Sequence, residues 1–215
     1  MTGVVEPEGQ ATSRQLRAPL DAEWARATSH PLIGGVADGS LDDAAFGRWL
    51  TINLDFLRTY RRFLIAMGTL SPDARGSRLM FEGVRGLDRE VRDANHWLTG
   101  RDIRADGQPS PAAMDYTSYC MAALGAGWSR GVCVAYGFES VYYDAWSHGL
   151  ETAVPGGRFG RFLESWGGVD SMLFVSRLEV LVDKVPWALD LSRTFGRVVR
   201  LEINAWDEAM RGPAQ

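Results

Sequence analysis

Apolar residues recur along this chain at intervals of three and four rather than two, and its β-branched runs are short, so the pattern predicts helices and almost no strand. Leu16, Leu20, Trp24 and Ala27 form one face of a helix over residues 15–28. His30-Pro31 breaks it, and Asp38-Gly39 marks a turn before Ser40, whose spacing to Asp43 predicts a capping box. The stripe Phe46, Trp49, Leu50, Phe56, Leu57, Tyr60, Phe63, Leu64 and Met67 then defines one long helix. Ser71-Pro72 ends it and opens a third helix to residue 98, with a more mixed face. Residues 107–111 form a loop whose Ser110 is the candidate N-cap of a helix over 111–124. Further helices are predicted over 132–149, 159–166, 170–182 and 186–210. Residues 1–14 lack apolar periodicity and read as a disordered lead-in, so residues 15–215 form a single all-α, up-and-down bundle of seven or eight helices.

Composition narrows the chemistry. Three His and two Cys among 215 residues argue against zinc ribbons, His-rich metal centres and disulfide scaffolds. A net charge of −4 offers no basic field for phosphates, so no nucleic-acid partner is expected. No apolar stretch approaches the roughly 20 residues of a membrane span, and the acidic, polar residues 1–14 do not resemble a secretory signal. The expectation is a soluble protein of the reducing cytoplasm.

The informative positions are polar residues on apolar stripes. Asn53 lies seven after Phe46 and three before Phe56; Glu139 falls between Tyr136 and Tyr143; Glu202 lies four after Val198 and four before Trp206, on the face that holds Phe195. A bare buried charge costs several kcal/mol, so carboxylates aimed at an aromatic interior need partners or take up protons. That is also how acid and base roles are separated in carboxylate-pair sites. Each glutamate alone is equally readable as a boundary residue whose head reaches solvent or an Arg. Together, three such positions on long helices point to a shared pocket. Cys120 and Cys133 have no His at local spacing and read as buried, inert thiols. His96 follows Asp93 by three, a spacing found in di-iron bundles and equally on helix surfaces; His30 and His148 read as helix-end residues, and Arg58, Arg61 and Arg62 as a solvated flank.

Taken in order, these residues resemble the TenA (thiaminase II) family. His30-Pro31-Leu32, Asp38-Gly39-Ser40-Leu41 and the helix through Phe46, Asn53 and Phe56 are similar to its opening. Tyr116 and Tyr119 after Pro111 match a middle segment, and Phe195, Glu202, Trp206, Asp207 and Ala209 match its close. The resemblance covers nearly all of the chain after residue 15. It implies a haem-oxygenase-like bundle, a homo-oligomer (tetramer or dimer), that releases the amine from an aminomethyl-pyrimidine in thiamin salvage without metal or cofactor. By position, Glu202 resembles the family's carboxylate and Tyr116 and Tyr143 its pocket tyrosines. The family's catalytic Cys falls on Glu139, as in the branch that uses a Glu. Three positions depart: the Asp that holds the pyrimidine is Asn53, its neighbouring Tyr is Phe56, and a third pocket Tyr is Trp166.

The resulting expectation is a cofactor-free hydrolase of a C–N bond in a small heteroaromatic substrate. Glu139 acts as base or nucleophile, Glu202 manages the leaving amine's proton, and Tyr143 and Tyr116 donate hydrogen bonds. Asn53, Phe56 and Trp166 shape the pocket. Two alternatives stand beside it. One is a non-haem di-iron oxidase using Glu139, Asp93 and His96, against which the last two helices contain no His. The other is a divergent biosynthetic enzyme or small-molecule binder. Family names that call such proteins transcriptional regulators fit an acidic chain without a helix-turn-helix only by a metabolic route.

Overall fold

The computed structural model describes residues 11–103 and 108–212. Among these, ten α-helices and one 3-10 turn occur and no strand: α1 Thr12–Arg17, α2 Asp21–Thr28, α3 Pro31–Ala37, α4 Asp43–Leu70, α5 Ala74–Thr99, α6 Pro111–Gly125, α7 Trp128–Glu151, α8 Gly160–Gly167, α9 Val169–Val182 and α10 Leu189–Arg211. The class is all-α, as the periodicity predicts.

The helix count exceeds the expected seven or eight for two local reasons. Pro19 sits in the 3-10 turn Ala18–Leu20, which divides the expected first helix into α1 and α2. After His30, Pro31 does not merely break a helix; it stands at the first position of α3, where its missing N–H costs nothing. Of the lead-in expected through residue 14, residues 1–10 lie outside the described residues. Thr12 and Ser13 are already helical and buried, held by Thr12 Oγ1 donating to the Val185 carbonyl at 2.8 Å and Ser13 N–H donating to Asp183 at 2.8 Å. The loop placed at 107–111 begins outside the described residues.

Caps correct the sequence in detail. Asp42, not Ser40, caps α4 by accepting from Ala45 N at 2.6 Å. Ser40 belongs instead to the preceding turn, where its N–H donates to Asp38 and Gly39 takes φ +76°. Asp73 rather than Ser71 caps α5, accepting from Gly76 N at 2.7 Å. Ser110 caps α6 as expected, and α10 begins at Leu189, three residues after Pro186. His30 is an N-cap: its Nδ1 accepts from Leu32 N at 3.1 Å, while Nε2 meets Asp207 at 3.2 Å and ties α3 to α10.

Helix α7 is the axis of the molecule, contacted by α2, α3, α4, α6, α8, α9 and α10. Burial on all sides explains why its sequence is apolar or small almost throughout. At Gly137 a Cβ would lie 3.0 Å from Val198 and 3.2 Å from Phe195, so this glycine lets α10 approach closely. Helices α4 and α5, joined by a short loop, pack against each other on another side of the bundle. Between these layers Trp49, Trp146, Trp166 and Trp206 converge, with ring centroids of Trp146 and Trp166 4.6 Å apart. Each buried Trp removes about 150–250 Å² of largely apolar surface from water, about 4–6 kcal/mol gross. Some apolar surface stays outside: on α9, Val169 and Leu173 are more than half exposed. No helix among the described residues is long and apolar enough to cross a membrane.

The tryptophan cluster depends on a close approach at Gly167, where a Cβ would lie 2.5 Å from the backbone carbonyl of Trp146. Gly167→Ala therefore lowers the thermal midpoint, by a stability loss of about 1–3 kcal/mol. Gly34→Ala in α3, with nothing within 4 Å of the new Cβ, is neutral or stabilises by up to about 1 kcal/mol. Thermal denaturation of the two variants checks the contrast.

Candidate active site

A cavity of about 500 Å³ opens among the described residues, a volume in the range of small-molecule sites. Its walls come from α5 (Glu82, Leu87, Arg89, Glu90), α7 (Glu139, Tyr142, Tyr143), α8 (Glu164, Trp166) and α9 (Val169, Leu173, Phe174). A smaller chamber of about 40 Å³ shares Leu87, Glu90, Glu139 and Tyr142 with it and is completed by Phe56, Leu57, Tyr60, Phe138 and Glu202. That volume suits roughly one water-sized group, whose share of liquid is about 30 Å³. A ring-sized ligand thus fits the outer cavity, and a single water or amino group the inner one.

Glu139 and Glu202, on different helices, line the same chamber. Glu202 is 1% exposed and its Oε2 accepts from the Tyr116 hydroxyl at 2.9 Å. Burial pushes its carboxyl up to about 8, with the charges of Glu139 and Glu90 adding to the effect and the Tyr116 hydrogen bond opposing it. Burial likewise pushes Glu139 up to about 7, opposed by the Tyr60 hydroxyl beside it and aided by the Glu90 charge. That hydroxyl is itself buried and makes no hydrogen bond of normal geometry. Burial holds Tyr60, Tyr116 and Tyr142 well above the usual phenol range, so all three keep their protons.

The aromatic positions fall where the apolar stripes place them. Phe56 lies against Tyr116, Tyr60 and Phe138 at ring-centroid distances of 4.4, 5.0 and 5.0 Å, walling the chamber. Trp166 lines the outer cavity, its indole N–H buried without a partner of normal geometry. Asn53 lines neither space. Its amide donates to Glu90 Oε1 at 2.8 Å, so it acts on the site through that glutamate. Tyr143 lines the outer cavity but makes no hydrogen bond to these carboxylates; Tyr142, one residue earlier, donates to Glu90 Oε1 at 3.4 Å. Positions three and four after Glu139 both lie on its side of the helix, so spacing alone does not separate the two tyrosines.

Glu90 is the residue that the sequence reading missed. The signal was present: Gly83, Leu87, Ala94 and Trp97 are buried at −7, −3, +4 and +7 from it, the same stripe arrangement that singled out Asn53 and Glu202. The mixed face of α5 hid it. Burial raises its carboxyl, while Asn53, Tyr142 and the Trp166 indole favour the anion.

The remaining candidates lie elsewhere. Asp93 pairs with Arg161 at 2.8 Å and His96 is exposed, so neither lines the cavity with Glu139. Among the described residues no three His, Cys, Asp or Glu are placed to hold a metal ion, and the donor set does not suit the di-iron alternative. Cys133 is buried, its thiol donates to the Leu191 carbonyl at 3.6 Å, and burial pushes it up to about 12; burial raises Cys120 as well. Neither is a ready thiolate. Arg58 and Arg61 pair with Asp55 and Asp88 on the surface.

No family model matches the chain. A TENA-E protein of Glycine max, described as bifunctional, is 24% identical over 162 residues, covering 67% of this chain and 69% of that protein. A TenA homologue from Pyrococcus furiosus has the same fold, with a TM-score of 0.86 at 20% identity over 92% of this chain and 99% of its own. A TenA family transcription regulator from Silicibacter superposes at 0.84, 19% identical over 97% and 99% of the two chains. A protein from Sulfolobus solfataricus described as a TenA-like thiaminase superposes at 0.81, 16% identical over 94% and 97%. The chain is thus similar in sequence to a TENA-E protein and shares its fold with solved TenA homologues, in line with the ordered run of motifs from His30-Pro31 to Glu202 and Trp206.

Proposed function

We propose that this protein is a cofactor-free hydrolase of the family's Glu type, cleaving a C–N bond of an aminopyrimidine-like or other small heteroaromatic substrate. The observation that carries the reading is the pair Glu139 and Glu202, which face one water-sized chamber from two helices with unequal hold on their protons. The thiaminase description of the Sulfolobus relative and the TENA-E name of the soybean protein support it.

Near neutral pH Glu202 holds its proton and is the acid, while Glu139, with the lower value, supplies the base. A water in the chamber gives a proton to Glu139 as its oxygen bonds to the carbon that carries the amine. The C–N bond breaks as the nitrogen takes the proton of Glu202, and the product leaves as alcohol and free amine. Transfer of the proton from Glu139 to Glu202 restores both groups. Tyr116 holds Glu202 in place through its hydrogen bond. Phe56 and Trp166 shape the space for the ring, with Tyr142 and Tyr143 on the α7 wall. A homo-oligomer in the cytoplasm is part of the same reading, in keeping with the apolar residues exposed on α9.

Purified protein releases amine from a panel of aminomethyl- and formylamino-pyrimidines. Glu139→Gln and Glu202→Gln each cut kcat at least about a hundredfold, the scale of general acid–base catalysis. Cys133→Ala stays within about twofold of wild type. Release from no pyrimidine, or a Glu202→Gln variant as active as wild type, sinks the assignment; loss of activity in Cys133→Ala restores the thiol as nucleophile.

The rate also follows pH with a definite sign. Activity rises as Glu139 loses its proton through about pH 7 and falls as Glu202 loses its own through about pH 8, giving a narrow bell that belongs to the coupled pair. A pH–rate profile that climbs steadily past pH 9 excludes Glu202 as the acid.

A further inference from the structure

The three glutamates around the chamber are not held alike. Glu202 has one donor, Tyr116, and Glu139 stands beside the Tyr60 hydroxyl. Glu90 has the Asn53 amide at 2.8 Å, the Tyr142 hydroxyl at 3.4 Å and the Trp166 indole nearby, all favouring its anion. Both hydrogen bonds end on Oε1, and none of normal geometry reaches Oε2, the Trp166 indole lying near the carboxylate without one. Glu90 alone of the three combines this support with a place on the walls of both spaces, where the ring and the reacting group of a ligand meet.

Asn53 makes sense in this light. An amide nitrogen can only donate, so it favours an ionised Glu90. An Asp at 53 would set two carboxylates at hydrogen-bond distance, where they share a proton and neither keeps a full charge. Nearby cations do not neutralise Glu90 instead. Arg177 is engaged with Glu82 at 2.5 Å, and Arg89, the other cation on the outer walls, makes no ion pair with Glu90. The outer walls also carry Glu164 and Asp170, which favours a positively charged guest.

We propose that Glu90 is the specificity-determining residue of the site: its Oε2 accepts from the N–H edge of a protonated, nitrogen-rich planar ligand of the amidine or amino-heterocycle type. Asn53 is its positioning residue. The idea builds on the hydrolase reading but concerns recognition, so its test is binding without turnover.

Benzamidine and benzamide, a matched cationic and neutral pair, are titrated into the intact protein by calorimetry. Wild type binds benzamidine at least about tenfold more tightly than benzamide, the scale of a hydrogen bond to a charged group. Glu90→Gln, which still accepts from Asn53, abolishes that preference and leaves benzamide binding unchanged. Asn53→Asp moves the pH midpoint of benzamidine binding upward, because Glu90 must then ionise beside a second carboxylate; a purely structural Asn53 leaves the midpoint in place. The exchanged pair Asn53→Asp with Glu90→Gln regains thermal stability and not the benzamidine preference, because the carboxylate then stands behind the wall. Equal binding of the two probes to wild type, or an unchanged preference in Glu90→Gln, overturns the proposal whatever the catalytic assays give.

Discussion

The structure turns on one constraint: carboxylates have been carried into an aromatic interior, where a bare charge is several kcal/mol too costly to keep. The fold answers separately for each. Burial raises the Glu90 carboxyl, and hydrogen bonds from an amide and a phenol oppose that rise. Glu202, 1% exposed with a single phenol donor, is pushed up to about 8, so near neutral pH it takes up a proton. Glu139 is pushed up by burial to about 7, below Glu202. Residues of one chemical type thus acquire different proton affinities from their surroundings alone, which is what a site doing acid and base chemistry near neutral pH requires.

Bringing them together needs close helix packing. Gly137 lets α10 press onto α7, so that Glu139 and Glu202 share a chamber rather than being separated by a layer of side chains. The pairing of α4 with α5 sets Asn53 on Glu90. Behind them the indoles of Trp49, Trp146, Trp166 and Trp206 form a stiff wall, and all four indole N–H groups are buried without partners among the described residues. Each such donor costs about 1–3 kcal/mol. Of the four, Trp166 lines the outer cavity.

The helical class, the order of most elements and the inward aim of Glu139 and Glu202 were legible because a polar residue within a period of three and four stands out wherever the neighbours are strongly apolar. Glu90 obeys the same rule but sits on α5, whose inner face is built of Gly83, Leu87 and Ala94 with charged residues crowded between them, so its stripe is faint. The choice between Tyr142 and Tyr143 was not legible, because both positions face the site side of α7 and only the packed rotamers decide which hydroxyl meets Glu90. The cap expected at Ser40 and the helix start expected at Ser71-Pro72 both fall two residues later for a related reason. Each has an Asp two residues on whose carboxylate serves the same backbone donors with a full charge, and local spacing does not rank the rivals.

Position 53 shows how a substitution read in isolation misleads. Against the family pattern, Asn53 is a lost negative charge and a weakened pocket. In three dimensions its amide is 2.8 Å from a carboxylate on the next helix, and that hydrogen bond opposes the rise that burial imposes on Glu90. A carboxylate therefore stands beside position 53 on the neighbouring helix, at Glu90. A thiol at Cys133 is buried against the first turn of α10 and pushed up to about 12, far from a usable nucleophile. Six residues later Glu139, pushed up to about 7, lines one chamber with Glu202, pushed up to about 8. Positions 53 and 139 thus both bear on the carboxylates of the site, Asn53 through its hydrogen bond to Glu90 and Glu139 directly on the chamber wall.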